Sequence, residues 1–190
     1  SFDYELPFGK GKALLGSASG ILNQIVGGWQ LNLIPTYQSG VNRNVTSPNL
    51  TTISYVTQRA DATGISSGSS FTLTTGATTA TITPGEGFGS TNRSLYWFNP
   101  NAFSQTAALK FGTSGRDLIS APGFANWDMS LFKNFRIRER ATIEFRAEFF
   151  DALNHPRFDP PNMDASSPFF GQIQSAEAPR IIQLGLRLQF

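Results

Sequence analysis

The sequence contains one histidine, and the residues around it determine what chemistry it can do. His155 stands between an asparagine and a proline, with Asp151 before it and Asp159 after it. A histidine beside a carboxylate is the arrangement that general-base catalysis or metal binding uses. A proline directly after the histidine indicates extended or turn backbone. We therefore interpret His155 as a loop-entry residue whose ring fills a turn, in preference to a base or a ligand.

Three oxygen-bearing side chains follow the histidine, namely Asp159, Asn162 and Asp164. Carboxylate and amide oxygens are the ligands that Ca²⁺ takes in proteins. Their spacing does not follow that of a calcium-binding loop, so a solvated turn is favoured and a cation site remains the alternative.

Two glycine-rich segments resemble nucleotide or nucleophile motifs without matching them. Gly9-Lys10-Gly11-Lys12 lacks the order of a phosphate-binding loop and indicates a basic turn at a strand end. Residues 16–20 (GSASG) have Ala18 where a nucleophile elbow requires serine. With no cysteine and one histidine, thiolate and multi-histidine metal sites are excluded. We expect no enzyme, no metal and no cofactor.

Aromatic and charged side chains form two further candidate sites. The aromatic groups are candidate loop contacts that either stack on a ligand or pack within their own loops, the second being favoured; they are Tyr96, Trp97, Phe98, Phe169 and Phe170. The charged residues alternate along one strand and continue on the last one; they are Glu144, Arg146, Glu148 and Arg187. This set is interpreted as a lumen-facing ladder in which opposite charges pair across strands.

The composition limits the class of protein. Charged residues make up 15% of the 190 residues, against about 25% in an ordinary soluble domain. A net charge of +2 gives no reason to expect nucleic acid as a partner. We find no secretory signal in the sequence and no apolar run long enough for a transmembrane helix. A spanning β-strand needs only ~10 alternating residues and is not excluded.

The elements that must position these residues are strands, because side-chain character alternates with period two. Five strands are predicted, over residues 1–8, 28–39, 126–137, 141–153 and 180–190. Pro35 predicts a bulge, an edge or a strand end within the second of them. Residues 13–26 are assigned to a short helix or an irregular turn.

The Thr/Ser/Gly-rich middle of the chain has only short β-prone pieces. They are residues 50–57, and residues 70–75 and 78–83, which form a predicted small hairpin around Gly76-Ala77. We interpret the 190 residues as wall strands with a turn (1–40), a large extracellular loop region with small hairpins (41–125), and the last three wall strands (126–190). The fold class is all-β and antiparallel.

A membrane barrel and a soluble sandwich both fit alternating strands. The barrel is favoured by loop lengths that alternate, with a turn at 138–140 and a loop at 154–179. It is also favoured by the charged strand face and by the terminal aromatic residue. The sandwich, as a secreted carbohydrate-binding protein, stays open as an alternative.

Several segments resemble the C-terminal part of TonB-dependent outer-membrane receptors of the Oar-like group common in Acidobacteria. They are YELPFGKGK (4–12), GGWQL (27–31), YQSG (37–40), FNPNAF (98–103), FGTSGRD (111–117), PGFANWDMSLFKNFRI (122–137), RATIEFRAEFFDALNHPRF (140–158) and IIQLGLRLQF (181–190). The resemblance implies the C-terminal part of a transmembrane β-barrel with long extracellular loops, located in the bacterial outer membrane.

The resemblance also implies roles and directions for the strands. The last strand would carry the outer-membrane assembly signal in its apolar residues and terminal aromatic; these are Ile182, Leu184, Leu186, Leu188 and Phe190. Its C-terminus would lie in the periplasm, which makes the 138–140 turn periplasmic and places 41–125 and 154–179 outside the cell. The implied partners are outer-membrane lipid, the barrel assembly machinery, and the rest of the barrel, plug and TonB system.

Five strands are too few for a receptor barrel of about 22 strands. The leading hypothesis is therefore a portion of such a receptor or transporter that supplies wall, assembly signal and outer loops. The alternative is an extracellular structural or adhesive protein, a filament subunit that self-associates through exposed strand edges.

Overall fold

A computed structural model describes residues 1–48, 58–75, 78–85, 95–138 and 141–190. The chain divides into two compact units. Unit 1 consists of Ser1–Gln38, Ala125–Pro156 and Ala178–Phe190, and unit 2 of Ser39–Phe124 and Arg157–Glu177. Three predicted features lie wholly or partly outside the described residues. They are the strand at 50–57, the hairpin turn at 76–77, and positions 139–140 of the turn at 138–140.

The described residues form eleven strands and two short helices. In chain order the strands are β1 (Phe2–Glu5), β2 (Trp29–Gln38), β3 (Asn42–Arg43), β4 (Asp61–Ala62), β5 (Phe71–Thr75), β6 (Thr78–Ile82), β7 (Phe103–Ser104), β8 (Ile119–Ser120), β9 (Phe124–Arg138), β10 (Ala141–Phe150) and β11 (Ile181–Gln189). The helices are α1 (Gly20–Val26) and a 3₁₀ turn at Pro100–Ala102. No helix in the described ranges is long and apolar enough to cross a membrane.

Unit 1 is built on one five-stranded sheet with the order β1-β2-β9-β10-β11. β1 pairs antiparallel with β2, and β10 pairs antiparallel with both β9 and β11. β2 and β9 also run in opposite directions. Tyr37, late in β2, contacts Trp127, early in β9, and Trp29, which opens β2, lies against Lys133 later in β9. The prediction of an all-β antiparallel fold is confirmed.

The predicted wall strands all form; four are shorter than predicted, and β9 extends beyond the predicted 126–137 at both ends. β1 ends at Glu5 because Pro7 cannot donate to a ladder. β10 ends at Phe150 because Asp151 adopts a left-handed backbone with φ of 52°, which starts a turn where the prediction continued the strand to 153. Pro35 lies in β2 beyond Leu33, the last residue paired with β1, so its missing N–H costs no bond to that neighbour.

Unit 2 has a core of its own, which the prediction of a large loop region with small hairpins did not anticipate. Its buried apolar residues are Val45, Ala60, Phe98, Ala102, Phe103, Ile119 and Phe170. Unit 2 also contains three two-stranded ladders: β3 with β8, β4 with β7, and the predicted hairpin β5 with β6. Close backbone contacts hold the unit together, since a Cβ on Gly112 would meet the Arg59 carbonyl oxygen at 1.8 Å. Residues 39–124 are therefore compact where they are described.

Candidate functional site

The sheet of unit 1 has one apolar face that runs across all five strands. Residues paired directly across antiparallel strands share a face, and successive residues alternate between faces. The register therefore places the following residues on the apolar face: Phe2, Tyr4, Leu31, Leu33, Met129, Leu131, Lys133, Phe135, Ile143, Phe145, Ala147, Phe149, Ile182, Leu184, Leu186 and Leu188. Ring contacts add Trp29, edge-on to Phe145 at 6.0 Å, and Tyr37, edge-on to Trp127 at 6.0 Å.

The last strand leaves this face uncovered. Leu184 is 68% exposed and Leu186 76% exposed, and every residue of β11 is exposed. Phe190 follows the strand and is 99% exposed. The residues expected to form the assembly signal thus lie in one row, ending on a free aromatic side chain. A contiguous apolar surface of this kind marks a surface that meets lipid or another chain.

The opposite face of the sheet is polar and holds the predicted charged ladder. Glu144 of β10 lies directly opposite Arg187 of β11. The Arg146 guanidinium donates to Glu148 Oε1 at 2.5 Å and lies 4.9 Å from the centre of the Phe132 ring. The structure brings all four residues onto one face of two neighbouring strands, while their exposure to a lumen remains a prediction.

A cleft of about 410 Å³ opens on the polar face between β1, β2 and β9. Its polar lining comes from Asp3, Glu5, Gln30 and Asn32, and Phe132 also lines it. Asn32 donates its side-chain amide to Asp3 Oδ1, which ties β1 to β2. This cleft gives the polar face hydrogen-bonding groups beyond those of the charged ladder.

Lys133 is a charge on the otherwise apolar face, and its surroundings explain how it is tolerated. The residue is 2% exposed. Its Nζ donates to the Ile25 carbonyl oxygen at 2.7 Å and to the Gly27 carbonyl oxygen, at the C-terminal end of α1. It also lies 4.9 Å from the ring centres of Trp29 and Phe135. Because carbonyl oxygens at a helix C-terminus and aromatic faces both attract a cation, the segment between β1 and β2 covers this charge.

The candidate loop aromatics fall into two groups by burial. Phe98 is 2% and Phe170 8% exposed, and their rings meet edge-on at 5.2 Å in the core of unit 2. Tyr96 packs edge-on against Phe71 at 5.1 Å, and the Trp97 indole N–H donates to the Ser120 carbonyl oxygen at 2.6 Å. These four aromatic residues make contacts within unit 2, which agrees with the interpretation that they pack rather than stack on a ligand. Phe169, in contrast, is 49% exposed and reaches the surface.

The histidine and its neighbours form a turn at the end of β10. The His155 backbone N–H donates to Asp151 Oδ1 at 3.1 Å, and the imidazole is exposed. The Asp151 backbone N–H donates in turn to Asp128 Oδ1 at 3.0 Å. His155 thus enters the turn through its backbone N–H, whereas its exposed ring does not fill the turn as predicted.

The oxygen-bearing side chains after the histidine also accept hydrogen bonds from the protein itself. Asp159 Oδ2 accepts from the Ser175 hydroxyl at 2.5 Å, and Asp164 Oδ1 accepts from the backbone and hydroxyl of Ser166 at 2.9 and 2.7 Å. Asn162 Oδ1 accepts from the Asp164 backbone N–H at 3.0 Å. Within the described residues, no group of three or more His, Asp or Glu side chains is placed to hold a metal ion.

Sequence reasoning missed two features of these sites. The role of Lys133 was signalled only by a lone cation in an apolar row. The core of unit 2 combines small side chains such as Val45 and Ala60 with Phe103 and Ile119. The positions of these residues in the sequence follow neither a strand period nor a helix period. Neither hydrophobic periodicity nor a motif marks such a set.

A comparison with known protein families finds a match that agrees with the two-sided character of the sheet, which is apolar on one face and polar on the other. The family described as "Outer membrane beta barrel domain" matches residues 1–183, nearly the whole chain. Comparison with the curated proteins and with the solved structures gives no match. The match favours the barrel over the soluble sandwich, since only the barrel places a broad apolar sheet face against lipid. The chain therefore belongs to the outer membrane β-barrel domain family and is a protein of the bacterial outer membrane.

Proposed function

We propose that this chain is the C-terminal β-barrel portion of an Oar-like TonB-dependent receptor that transports a solute across the outer membrane. The observation that carries the proposal is the five-stranded sheet with one apolar and one polar face, whose edge strands β1 and β11 each pair on one side only among the described residues. Two edges with unpaired backbone groups require further strands in a membrane, because lipid offers them no hydrogen bonds. The segments that resemble TonB-dependent receptors supply the finer assignment.

In this proposal each face of the sheet has a separate task. The apolar face meets lipid, and the polar face, with Glu144, Arg146, Glu148 and Arg187, lines the lumen. The exposed row of β11 that ends in Phe190 is the segment that the barrel assembly machinery recognises.

The strand directions follow from the same proposal. If β11 runs toward the periplasm, the antiparallel order makes β10 run outward and β9 inward. The connection from β1 to β2 and the turn from β9 to β10 then lie on the periplasmic side. The chain leaves unit 1 after β2 and after β10, so residues 39–124 and 157–177 follow strand ends on the extracellular side. The energy-coupling step belongs to the plug and the TonB system.

Photo-cross-linking in cells tests the receptor assignment. The full-length protein, carrying a photoreactive residue at successive positions upstream of this chain, is expected to cross-link to TonB. The same residue placed at Phe169, which the proposal puts outside the cell, serves as the matched control and is expected to give no such product. A protein that is assembled in the outer membrane yet yields no TonB adduct at any position contradicts the assignment.

The second candidate is the structural or adhesive filament subunit, which the same two open edges favour. β1 and β11 are the edge strands of the sheet, and an exposed edge can pair with a strand of another copy. Electron microscopy of the purified protein separates the two candidates. Single barrels in detergent support the receptor, and filaments with a regular repeat support the filament subunit.

A further inference from the structure

A second cavity lies at the end of the sheet where β1 leads into β2. Its volume is about 460 Å³. Three cationic side chains and one carboxylate line it, namely Lys10, Lys12, Arg136 and Glu5. Phe8 and Phe135 form its apolar part, and the backbone of Gly27 and Gly28 forms another part. The cavity therefore combines basic groups with apolar side chains at one place.

The positive charge of this cavity is only partly neutralised. Glu5 pairs with Lys12 through an Nζ–Oε2 distance of 2.9 Å, which leaves the charges of Lys10 and Arg136 in excess. The whole connection between β1 and β2, residues 6–28, contains two lysines and no acidic residue. An anion is thus the ligand that this end of the sheet attracts.

The backbone around the cavity is held by close contacts. The Lys10 backbone N–H donates to Asn23 Oδ1 at 2.6 Å, which fixes the lysine segment to α1. Gly9 has a φ of +111°, and a Cβ there would meet the Gly27 Cα at 2.7 Å. Two segments that are distant in sequence are therefore locked together beside the lysines. A site whose frame is fixed before binding loses less entropy when its ligand arrives.

We propose that this cavity binds the phosphate of an anionic phospholipid headgroup. Arg and Lys donate to phosphate oxygens, and basic pockets beside membrane-spanning elements bind lipid headgroups in this way. The apolar side chains of Phe8 and Phe135 can contact the first methylene groups of the lipid acyl chains. A free phosphate ion has no such groups. The strand directions proposed above place this cavity at the periplasmic leaflet, and that placement rests on the proposed function, whereas headgroup binding itself depends only on the cavity.

Native mass spectrometry of the full-length protein in detergent tests this site with phosphatidylglycerol as the probe. The double variant Lys10→Gln/Arg136→Gln is expected to bind the lipid about 25-fold more weakly, at about fivefold for each basic residue near an anionic surface. The control Arg43→Gln/Lys110→Gln removes the same charge from unit 2 and is expected to leave binding unchanged. The charge-conserving variant Lys10→Arg/Arg136→Lys is expected to retain binding, which separates loss of charge from loss of folding.

Two results overturn the proposal. If both charge-removing double variants weaken lipid binding equally, only the net charge of the protein matters. If inorganic phosphate binds but phosphatidylglycerol does not, the cavity is a site for a free anion. Neither result depends on TonB, so this proposal and the receptor assignment fail separately.

Discussion

Replacing Leu184 with arginine is expected to lower the free energy of unfolding of the protein in lipid vesicles by about 2–4 kcal/mol, the cost of a cation on the lipid face at mid-membrane. Leu184 lies in the middle of β11, on the apolar face and opposite Ala147. Chemical denaturation of the variant folded into vesicles measures the change. Vesicles without assembly machinery keep the result independent of any role of Leu184 in the assembly signal.

The adjacent residue provides a matched control. Gln183 lies on the polar face opposite Glu148, and both positions are exposed in this sheet. Gln183→Arg is expected to change the free energy of unfolding by no more than about 0.5 kcal/mol, as for an ordinary surface substitution. Equal effects of the two arginines would contradict a lipid-facing apolar side, because the same residue type would then meet the same surroundings on both faces.

Replacing Phe98 with alanine is expected to destabilise unit 2 by about 3–5 kcal/mol, the cost of a large aromatic-to-alanine change in a packed core. The ring is 2% exposed and makes edge contacts with Phe103 at 5.9 Å and Phe170 at 5.2 Å. Hydrogen–deuterium exchange of the amides in residues 95–124 reports the loss as faster exchange.

Phe169 offers the control for this second prediction, because it has the same side chain, lies next to Phe170 and is 49% exposed. Phe169→Ala is expected to leave exchange in unit 2 almost unchanged. If Phe98→Ala also left exchange unchanged, residues 39–124 would not depend on the core described above and would be closer to the loop region that the sequence predicted.

The strands of unit 1 were predictable because apolar and polar residues alternate along them, with few exceptions such as Lys133 in β9. In β11 the four apolar residues Ile182, Leu184, Leu186 and Leu188 occupy every second position, and the structure places them on one face with Gln183 and Arg187 on the other. Strand ends were harder to place, since Asp151 stops β10 through a left-handed backbone that the alternation of Phe149 and neighbouring residues does not signal.

Unit 2 was not predictable in the same way. Phe98 and Phe170 are 72 positions apart in the numbering, and their contact depends on the fold of both segments. The aromatic runs were visible in the sequence, yet their burial depends on small partners such as Ala60, which no pattern selects. Lys133 is another long-range case. The carbonyl oxygens of Gly27 and Ile25, which accept its hydrogen bonds, lie 106 and 108 positions earlier in the chain.

A cysteine scan of β11 tests most directly whether the apolar face meets lipid and the polar face meets water. The chain has no cysteine, so these 190 residues add no background when single cysteine substitutions at 182–189 are spin-labelled. In the full-length protein in lipid, labels at 182, 184, 186 and 188 are expected to be accessible to oxygen. Labels at 183, 185, 187 and 189 are expected to be accessible to a water-soluble nickel complex. Accessibility to the nickel complex at both sets of positions would contradict the account, because both faces of the strand would then lie in water.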